Sequence, residues 1–238
     1  MLDFLQTIDS QLLLALNSIN TAFFDHFMSV ATGRFVWVPF YLSIVVMFVA
    51  RLGWRKAIVW VVAVGLCVAL SDQLCATFIR PLVGRLRPSN ELSDISGMVH
   101  IVNGYRGGPF GFPSCHGSNS FALATIVALV MRRPSVTCVM FFWALLNVYT
   151  RIYLGVHYPG DIIVGGIIGI TISLTVYKAV RWIMAHDANF IGSESADNAA
   201  EAQIGHNGLR RYLVYSADSL FPVAVLFLSI AVIITLYF

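Results

Sequence analysis

Charge is what this chain has least of: only 11% of its 238 residues are Asp, Glu, Lys or Arg. With 58% hydrophobic residues and a mean hydropathy of +0.78, that scarcity points away from one or two soluble domains and towards a multispanning membrane protein. Cysteine is scarce as well. Cys67, Cys75 and Cys138 lie in apolar runs and Cys115 in a loop, with no zinc-like pairing. Neither a disulfide framework nor a metal site built on cysteine is expected. A carboxylate cluster that could hold a metal is also missing, and no cofactor is expected. The first twenty residues carry Asp3 and Asp9 but no basic n-region, so a cleavable signal peptide is not expected. The net charge of +3 is small, so its distribution matters more than its sum. No nucleic-acid partner is expected, and no internal repeat is found.

What is present is apolar sequence in long runs. Residues 2–18 set six leucines among Asp3, Gln6, Asp9, Ser10 and Gln11. This stretch is too short and too polar to span, and reads as a helix lying in the membrane interface. An amphipathic helix packed on the bundle is the alternative. Six apolar runs follow, near 22–50, 57–79, 117–131, 135–153, 160–184 and 219–238. A bilayer core needs about 20 helical residues. Thr32-Gly-Arg34 interrupts the first run, whose span is expected at about 35–50, and Ser118, Asn119 and Ser120 extend the third as an inward-facing polar turn. The expectation is an all-α transmembrane bundle: about six spans, an N-terminal interfacial helix and one membrane-embedded domain over 1–238. Its chemistry would sit in 80–161, with a polar cytoplasmic loop at about 185–216 and an extra C-terminal span at about 219–238.

The basic residues fall on alternate connections. Arg51, Arg55 and Lys56 separate the first two spans, and Arg132 and Arg133 the third and fourth. Lys178, Arg181, Arg210 and Arg211 flank the connection from fifth to sixth. The positive-inside rule makes that side cytoplasmic. The stretches 80–116 and 151–161 then share the outer face.

Three polar clusters stand on that outer face. Thr150-Arg-Ile-Tyr-Leu-Gly-Val-His-Tyr-Pro-Gly-Asp161 places an arginine, a histidine and a carboxylate within twelve residues, between apolar runs. Ionisable groups at membrane depth are costly and tend to be functional. Arg151 offers a charged planar fork for a phosphate or carboxylate. His157 can act as nucleophile, base or acid near neutral pH. Asp161 can accept from one imidazole nitrogen and decide which one stays free. The plainer alternative is an interfacial loop whose Arg and His face headgroups. A second cluster, Arg80-Pro-Leu-Val-Gly-Arg-Leu-Arg87-Pro88, ends the second span. Pro81 disfavours a helical Arg80, so the helix is expected to kink or unwind there. Snorkelling to headgroups is the ordinary reading of such arginines, but here they lie against the positive-inside trend, which favours an anion site. The third, Gly111-Phe-Pro-Ser-Cys-His-Gly117, feeds a helix N-terminus whose free N–H groups suit an anion. Ser114 adds a hydroxyl and His116 a possible proton donor.

Together these make three arginines, one helix-start nest, two histidines and an aspartate. Phosphoryl oxygens are stabilised mainly by such fixed charges and donors. Two histidines allow the nucleophile and the leaving-group acid to be different residues.

The pattern resembles the type 2 phosphatidic acid phosphatase superfamily, whose motifs run K-x6-R-P, P-S-G-H and S-R-x5-H-x3-D. Here they read Arg80-x6-Arg87-Pro88, Pro113-Ser-Cys-His116 and Thr150-Arg151-x5-His157-x3-Asp161. The resemblance implies a metal-independent phosphatase with a phosphohistidine intermediate. It implies His157 as nucleophile, Asp161 as its orienting group and His116 as the acid for the leaving oxygen. Arg80, Arg87, Ser114 and Arg151 would hold the phosphate, with backbone N–H groups near Cys115. Three positions depart from the pattern. Arg80 stands for lysine and swaps a point charge for a fork; Thr150 stands for serine; Cys115 stands for glycine. If Cys115 needs positive φ its β-carbon costs about 1–2 kcal/mol, whereas if only its N–H is used cysteine fits.

The reading is a lipid phosphate phosphatase of a bacterial inner membrane with a periplasmic site, partnered by its lipid substrate and by membrane lipids. Lipid A phosphate and undecaprenyl pyrophosphate lead among the substrates family members use, ahead of phosphatidylglycerophosphate and phosphatidate. A lipid-to-lipid phosphotransferase and an inactive lipid-binding relative stay open. Asp72 reads as structural, packed with Ser71 and Gln73, or else as a partner for a site arginine, and Asn147 as an interhelical hydrogen bonder. His26, His100, His186 and His206 show no partner pattern. Residues 89–112 are long for a connection and read as a lid over the site or a plain loop.

Overall fold

A computed structural model describes residues 2–186 and 223–235. Among these there is no strand beyond one isolated bridge, Leu86 to Phe110, and the fold is an all-α membrane bundle. The helices are α1 (Leu2–Asn17), α2 (Ala22–Ala31), α3 (Val38–Gln73), α4 (Arg80–Val83), α5 (Cys115–Met131), α6 (Pro134–Tyr153) and α7 (Pro159–His186), with α8 (Val223–Thr235) following. The expected polar loop at 185–216 lies almost wholly outside the described residues, as do His206, Arg210 and Arg211.

The ends of these helices follow local chemistry. Thr21 is extended and its hydroxyl accepts from the Phe24 N–H at 3.2 Å, capping α2. Proline occupies the first turn of α3, α6 and α7, where its missing N–H costs nothing. Gly84 ends α4 in the left-handed region at φ 60°.

α3 is two limbs. At Gly53 φ is +76° and ψ 159°, a conformation open to glycine and strained for other residues. Tyr41 and Ala69 line one cavity, although in a straight helix they would stand about 42 Å apart. The chain therefore folds back at Gly53. The turn carries Arg51, Arg55 and Lys56, as the alternation of charge requires.

The second limb runs on further than the sequence predicts. A π-helical turn, Leu74–Ile79, widens it, and Arg80 keeps helical angles (φ −59°, ψ −46°) ahead of Pro81. Of the kink or unwinding expected at Arg80, the unwinding does not occur: the wider turn accommodates the proline, and the helix ends at Gly84. Arg87 lies beyond it on extended chain, so Arg80 and Arg87 do not share a helical face.

α5 is the hub, packed against α3, α6 and α7. Its contact with α7 is close because of glycine. A β-carbon on Gly169 would collide with the Ser118 carbonyl, and one on Gly165 with the Ser114 carbonyl. Small residues that bring backbones together are how helices associate where water supplies no driving force. On the outside, Leu42, Val46, Ile58, Val62, Ile163 and Ile167 are exposed, as lipid-facing positions require. The end of α3, the start of α5, the end of α6 and the start of α7 meet at one end of the bundle. The clusters predicted to converge do so there.

Candidate active site

His157 lies in the loop between α6 and α7, 1% exposed. Gly155 makes the turn possible at φ +68°, pressed against Val99 and the His100 carbonyl. Its ring is addressed from both sides. Arg87 Nη1 stands 2.9 Å from Nε2, and Asp161 Oδ2 stands 3.4 Å from Nδ1. A guanidinium only donates, so Nε2 carries a lone pair and the ring proton belongs on Nδ1, towards Asp161. Burial, then the charges of Arg87, Arg151 and Arg80, push the imidazole well below its ordinary pKa. At neutral pH it is an uncharged base with Nε2 aimed into a cationic site.

Asp161 is fully buried in the first turn of α7. Oδ2 also accepts from the Tyr158 N–H at 3.0 Å, and Oδ1 from Arg85 Nη1 at 2.8 Å.

Three arginines surround this pair. Arg87, buried, donates from Nη1 to the Val156 carbonyl at 2.9 Å. Burial and then the charges of Arg151 and Arg80 pull it down to about 10. Arg151, also buried, donates from Nη1 to Thr32 Oγ1 at 2.7 Å and from Nη2 to Tyr105 Oη at 3.3 Å. Arg80 donates from Nη2 to the Pro113 carbonyl at 3.1 Å and to Cys115 Sγ at 2.8 Å. Each of the three keeps a buried Nε with no hydrogen-bond partner. Buried donors are nearly always satisfied, and an orphan calls for an explanation. Three on mutually repelling cations mark a site built for an anion.

The helix-start nest is present. Ser114, fully buried, caps α5, its Oγ accepting from the Gly117 N–H at 3.2 Å. The Ser118 N–H is taken by the Ser114 carbonyl, so the donors left in this turn are those of Cys115 and His116. Cys115 is helical and absent from the positive-φ residues, so its β-carbon carries no left-handed strain. Its thiol meets the longer head of Arg80, and the two departures from the motif fit each other. His116 hydrogen-bonds the Thr32 backbone, which links it through Thr32 to Arg151.

The structure thus gathers Arg80, Arg87, Ser114, Cys115, His116, Arg151, His157 and Asp161 at one end of the bundle. Sequence reasoning missed three neighbours, Thr32, Arg85 and Asp9, while Tyr105 comes from the stretch 89–112 that reads as a lid or a plain loop. Thr32 reaches the site because Trp37, fully buried, pins its turn by an indole bond to the Ala31 carbonyl at 2.8 Å. No motif signals that. His100 is a correction: it pairs with Asp25 at 2.8 Å, and Tyr153 donates to the same oxygen at 2.6 Å, joining α2 to the end of α6. Asp72 pairs with the Asn119 amide at 3.1 Å. Beneath His116 and Cys115 a largely apolar cavity of about 730 Å³ opens between the two limbs of α3, α5 and α6, with Asn147 and Asp72 on its wall. The described residues hold no group of His, Cys, Asp or Glu arranged for a metal.

The sequence model of the PAP2 superfamily matches residues 57–185, more than half the chain. A lipid A 4'-phosphatase of Bacteroides thetaiotaomicron is 50% identical over 169 residues, covering 71% of this chain and 75% of that protein. One from Porphyromonas gingivalis is 31% identical over 189 residues, with 77% and 80% covered. Among solved structures, Aquifex aeolicus LpxE superposes with a TM-score of 0.53 at 25% identity, covering 71% of this chain and 93% of that one. A PAP2-type phosphatidylglycerolphosphate phosphatase of Bacillus subtilis, at 21% identity and TM-score 0.54, covers 75% and 87% and shares the fold.

Proposed function

The chain belongs to the PAP2 superfamily, and from that premise we propose that it hydrolyses a lipid phosphate, with lipid A bearing a 4'-phosphate as the substrate. The observation that carries the proposal is a buried His157 beside three arginines, each with a buried Nε that has no hydrogen-bond partner. They suit the oxygens of a phosphate dianion, which fixed donors stabilise most as charge spreads over the transferring group. The lipid part of the assignment rests on the apolar cavity under His116, whose volume falls in the range of ligand pockets, about 300–1,000 Å³. The choice of lipid A over undecaprenyl pyrophosphate rests on the Bacteroides and Porphyromonas relatives.

The mechanism follows from the groups present. His157 Nε2 gives its lone pair to phosphorus while the bond from phosphorus to the lipid oxygen breaks. That oxygen takes a proton from His116, whose imidazolium form the bound phosphate dianion would stabilise. Arg80, Arg87 and Arg151, with the Cys115 and His116 N–H groups, hold the three phosphoryl oxygens. Nδ1–H stays on Asp161, which offsets the positive charge the ring gains. In the second half His116 accepts a proton from water, the water oxygen bonds to phosphorus, and the bond from phosphorus to nitrogen breaks. Inorganic phosphate leaves and the His157 lone pair returns. The guanidinium groups supply the positive charge at each step. We place this machinery in one domain over 1–238, on the periplasmic face of a bacterial inner membrane.

The test uses purified protein and lipid A labelled at the 4'-phosphate, in excess EDTA, with an acid-free quench. Release of labelled inorganic phosphate and label trapped on histidine in wild type but not in His157→Ala is the expected result. No release, release only after adding magnesium or zinc, or transfer of label to another lipid overturns the proposal.

A further inference from the structure

Arg85 is used by neither half of that mechanism, yet it is the best-held charge near the site. Its Nη1 donates to Asp161 Oδ1 at 2.8 Å and its Nη2 meets Asp9 Oδ2 at 2.8 Å. Its guanidinium carbon lies 3.8 Å over the ring of Tyr158. Asp9 closes the circuit, its Oδ1 accepting from the Gly160 N–H at 2.7 Å. A β-carbon on Gly160 would come within 2.7 Å of Asp9, so the sequence leaves room there for this carboxylate.

Asp9 belongs to α1, outside the span matched by the family model. It is not alone in facing inward. Asp9, Leu13 and Asn17 recur every four residues and share one helical face. Leu13, fully buried, packs in the cluster that holds Tyr158 and Ile162. Asn17 donates to the carbonyls of Ile152 at 3.1 Å and Tyr153 at 2.7 Å. Phe4 and Ile8 point the other way and are exposed. One face of α1 therefore clamps both ends of the loop that carries His157, while the other is apolar as a membrane interface asks.

We propose that Asp9 and Arg85 are positioning residues for His157: a carboxylate–guanidinium–carboxylate bridge from α1 sets Asp161, and Asp161 sets the ring. The bridge divides the labour of Asp161 between its two oxygens. Oδ1 is neutralised by Arg85, and Oδ2 is left for the Tyr158 N–H and the imidazole. Arg85 also tempers the charge that His157 feels, because an unpaired Asp161 would hold a proton on the ring. The charged and titratable groups facing His157 are Arg87, Arg151, Arg80 and Asp161, with His116 from α5. Burial and three cations already keep it neutral, and Arg85 keeps Asp161 from undoing that.

The inference rests on the proposed reaction for its kinetic readout, so the experiment adds one that does not need turnover. Asp9→Asn, Asp9→Glu and Arg85→Met proteins are compared with wild type by kcat and KM on p-nitrophenyl phosphate across pH, and by thermal unfolding. The His157 titration is followed by NMR of labelled histidine, assigned with His157→Gln. A misplacement of about 1 Å at a reacting group can cost about 10²-fold. Losses of that size in kcat, with little change in KM, are expected for Asp9→Asn and Arg85→Met, and Asp9→Glu should regain part of the loss. In Arg85→Met the Asp161–His157 pair loses the cation that offsets it and binds its proton at higher pH. Its titration and the acid limb of kcat/KM should both move to higher pH, by about one unit or more. Asp9→Asn, which leaves Arg85 on Asp161, should not move upward. An unshifted His157 titration in Arg85→Met overturns the inference, and so does a kcat loss that only tracks loss of thermal stability. A wild-type protein silent on every phosphate ester sinks the phosphatase reading instead, and the NMR titration still decides this one.

Discussion

At the scale of single residues the two histidines are separated by what surrounds them. His157 is sealed and aimed by Arg87 and Asp161, which suits the attacking role proposed for it. His116 sits in the first turn of α5, on the wall of the apolar cavity, where the lipid side of the phosphate ester would lie. Its loss should therefore depend on the leaving group. A lipid alkoxide departs poorly without a proton, and general acid help is typically worth about 10²–10⁴-fold. A p-nitrophenolate needs it far less. His116→Ala should lose about 10²–10⁴-fold on lipid A and much less on p-nitrophenyl phosphate, measured as kcat/KM on both. Equal losses on the two substrates would mean that His116 does something other than protonate the leaving oxygen.

At the scale of elements the site depends on how closely α5 lies on α7. Ser114 caps α5 while its N–H donates to the Asp161 carbonyl at 3.0 Å, so the nest and the carboxylate beside His157 are tied across that interface. Gly169→Ala sets two effects against each other. Helix propensity favours alanine by about 1 kcal/mol, but the new methyl meets the Ser118 carbonyl, a backbone group that cannot swing aside. Overpacking typically costs about 1–3 kcal/mol, so packing should win and Gly169→Ala should melt below wild type in detergent. The conservative Ile167→Leu, on the exposed face of the same helix, should melt with it. A Gly169→Ala protein as stable as wild type would show that the two backbones can part without cost. The same scale shows what the sequence could tell. Apolar runs placed the helices to within a few residues, and the three motifs placed eight side chains at one end. The clamp by α1 was not legible. Asp9 and Asn17 look like the polar side of an interfacial helix, and their partners Arg85, Gly160 and the 152–153 carbonyls lie far away in the chain. Thr32 was hidden in the same way, since it is the burial of Trp37 that carries it to Arg151. Arg80 misled because the π-helical turn before it is a backbone adjustment that the rule for residues preceding proline does not anticipate.

The whole molecule is polar at its two ends for different reasons. At one end Arg80, Arg87 and Arg151 are turned inward and held by carbonyls, a hydroxyl and a thiol. At the other, Arg51, Arg55 and Lys56 occupy the turn between the limbs of α3, and Arg132 and Arg133 the turn between α5 and α6. Asp161 and Arg181 stand near opposite ends of α7, about 30 Å apart by helix rise, which matches the thickness of a bilayer core. Positive-inside sorting acts on cations in short connections near the membrane. By that count the turns at 51–56 and 132–133 are expected in the cytoplasm, and the proposed site would open outward. The buried arginines do not weaken this, because their charge is committed to the site and not offered to the loop. Intact spheroplasts producing the protein should therefore hydrolyse externally added p-nitrophenyl phosphate, which crosses membranes poorly, at the rate of permeabilised ones. His157→Ala spheroplasts set the background. Hydrolysis that appears only after permeabilisation would place the site in the cytoplasm and reverse the orientation of every span.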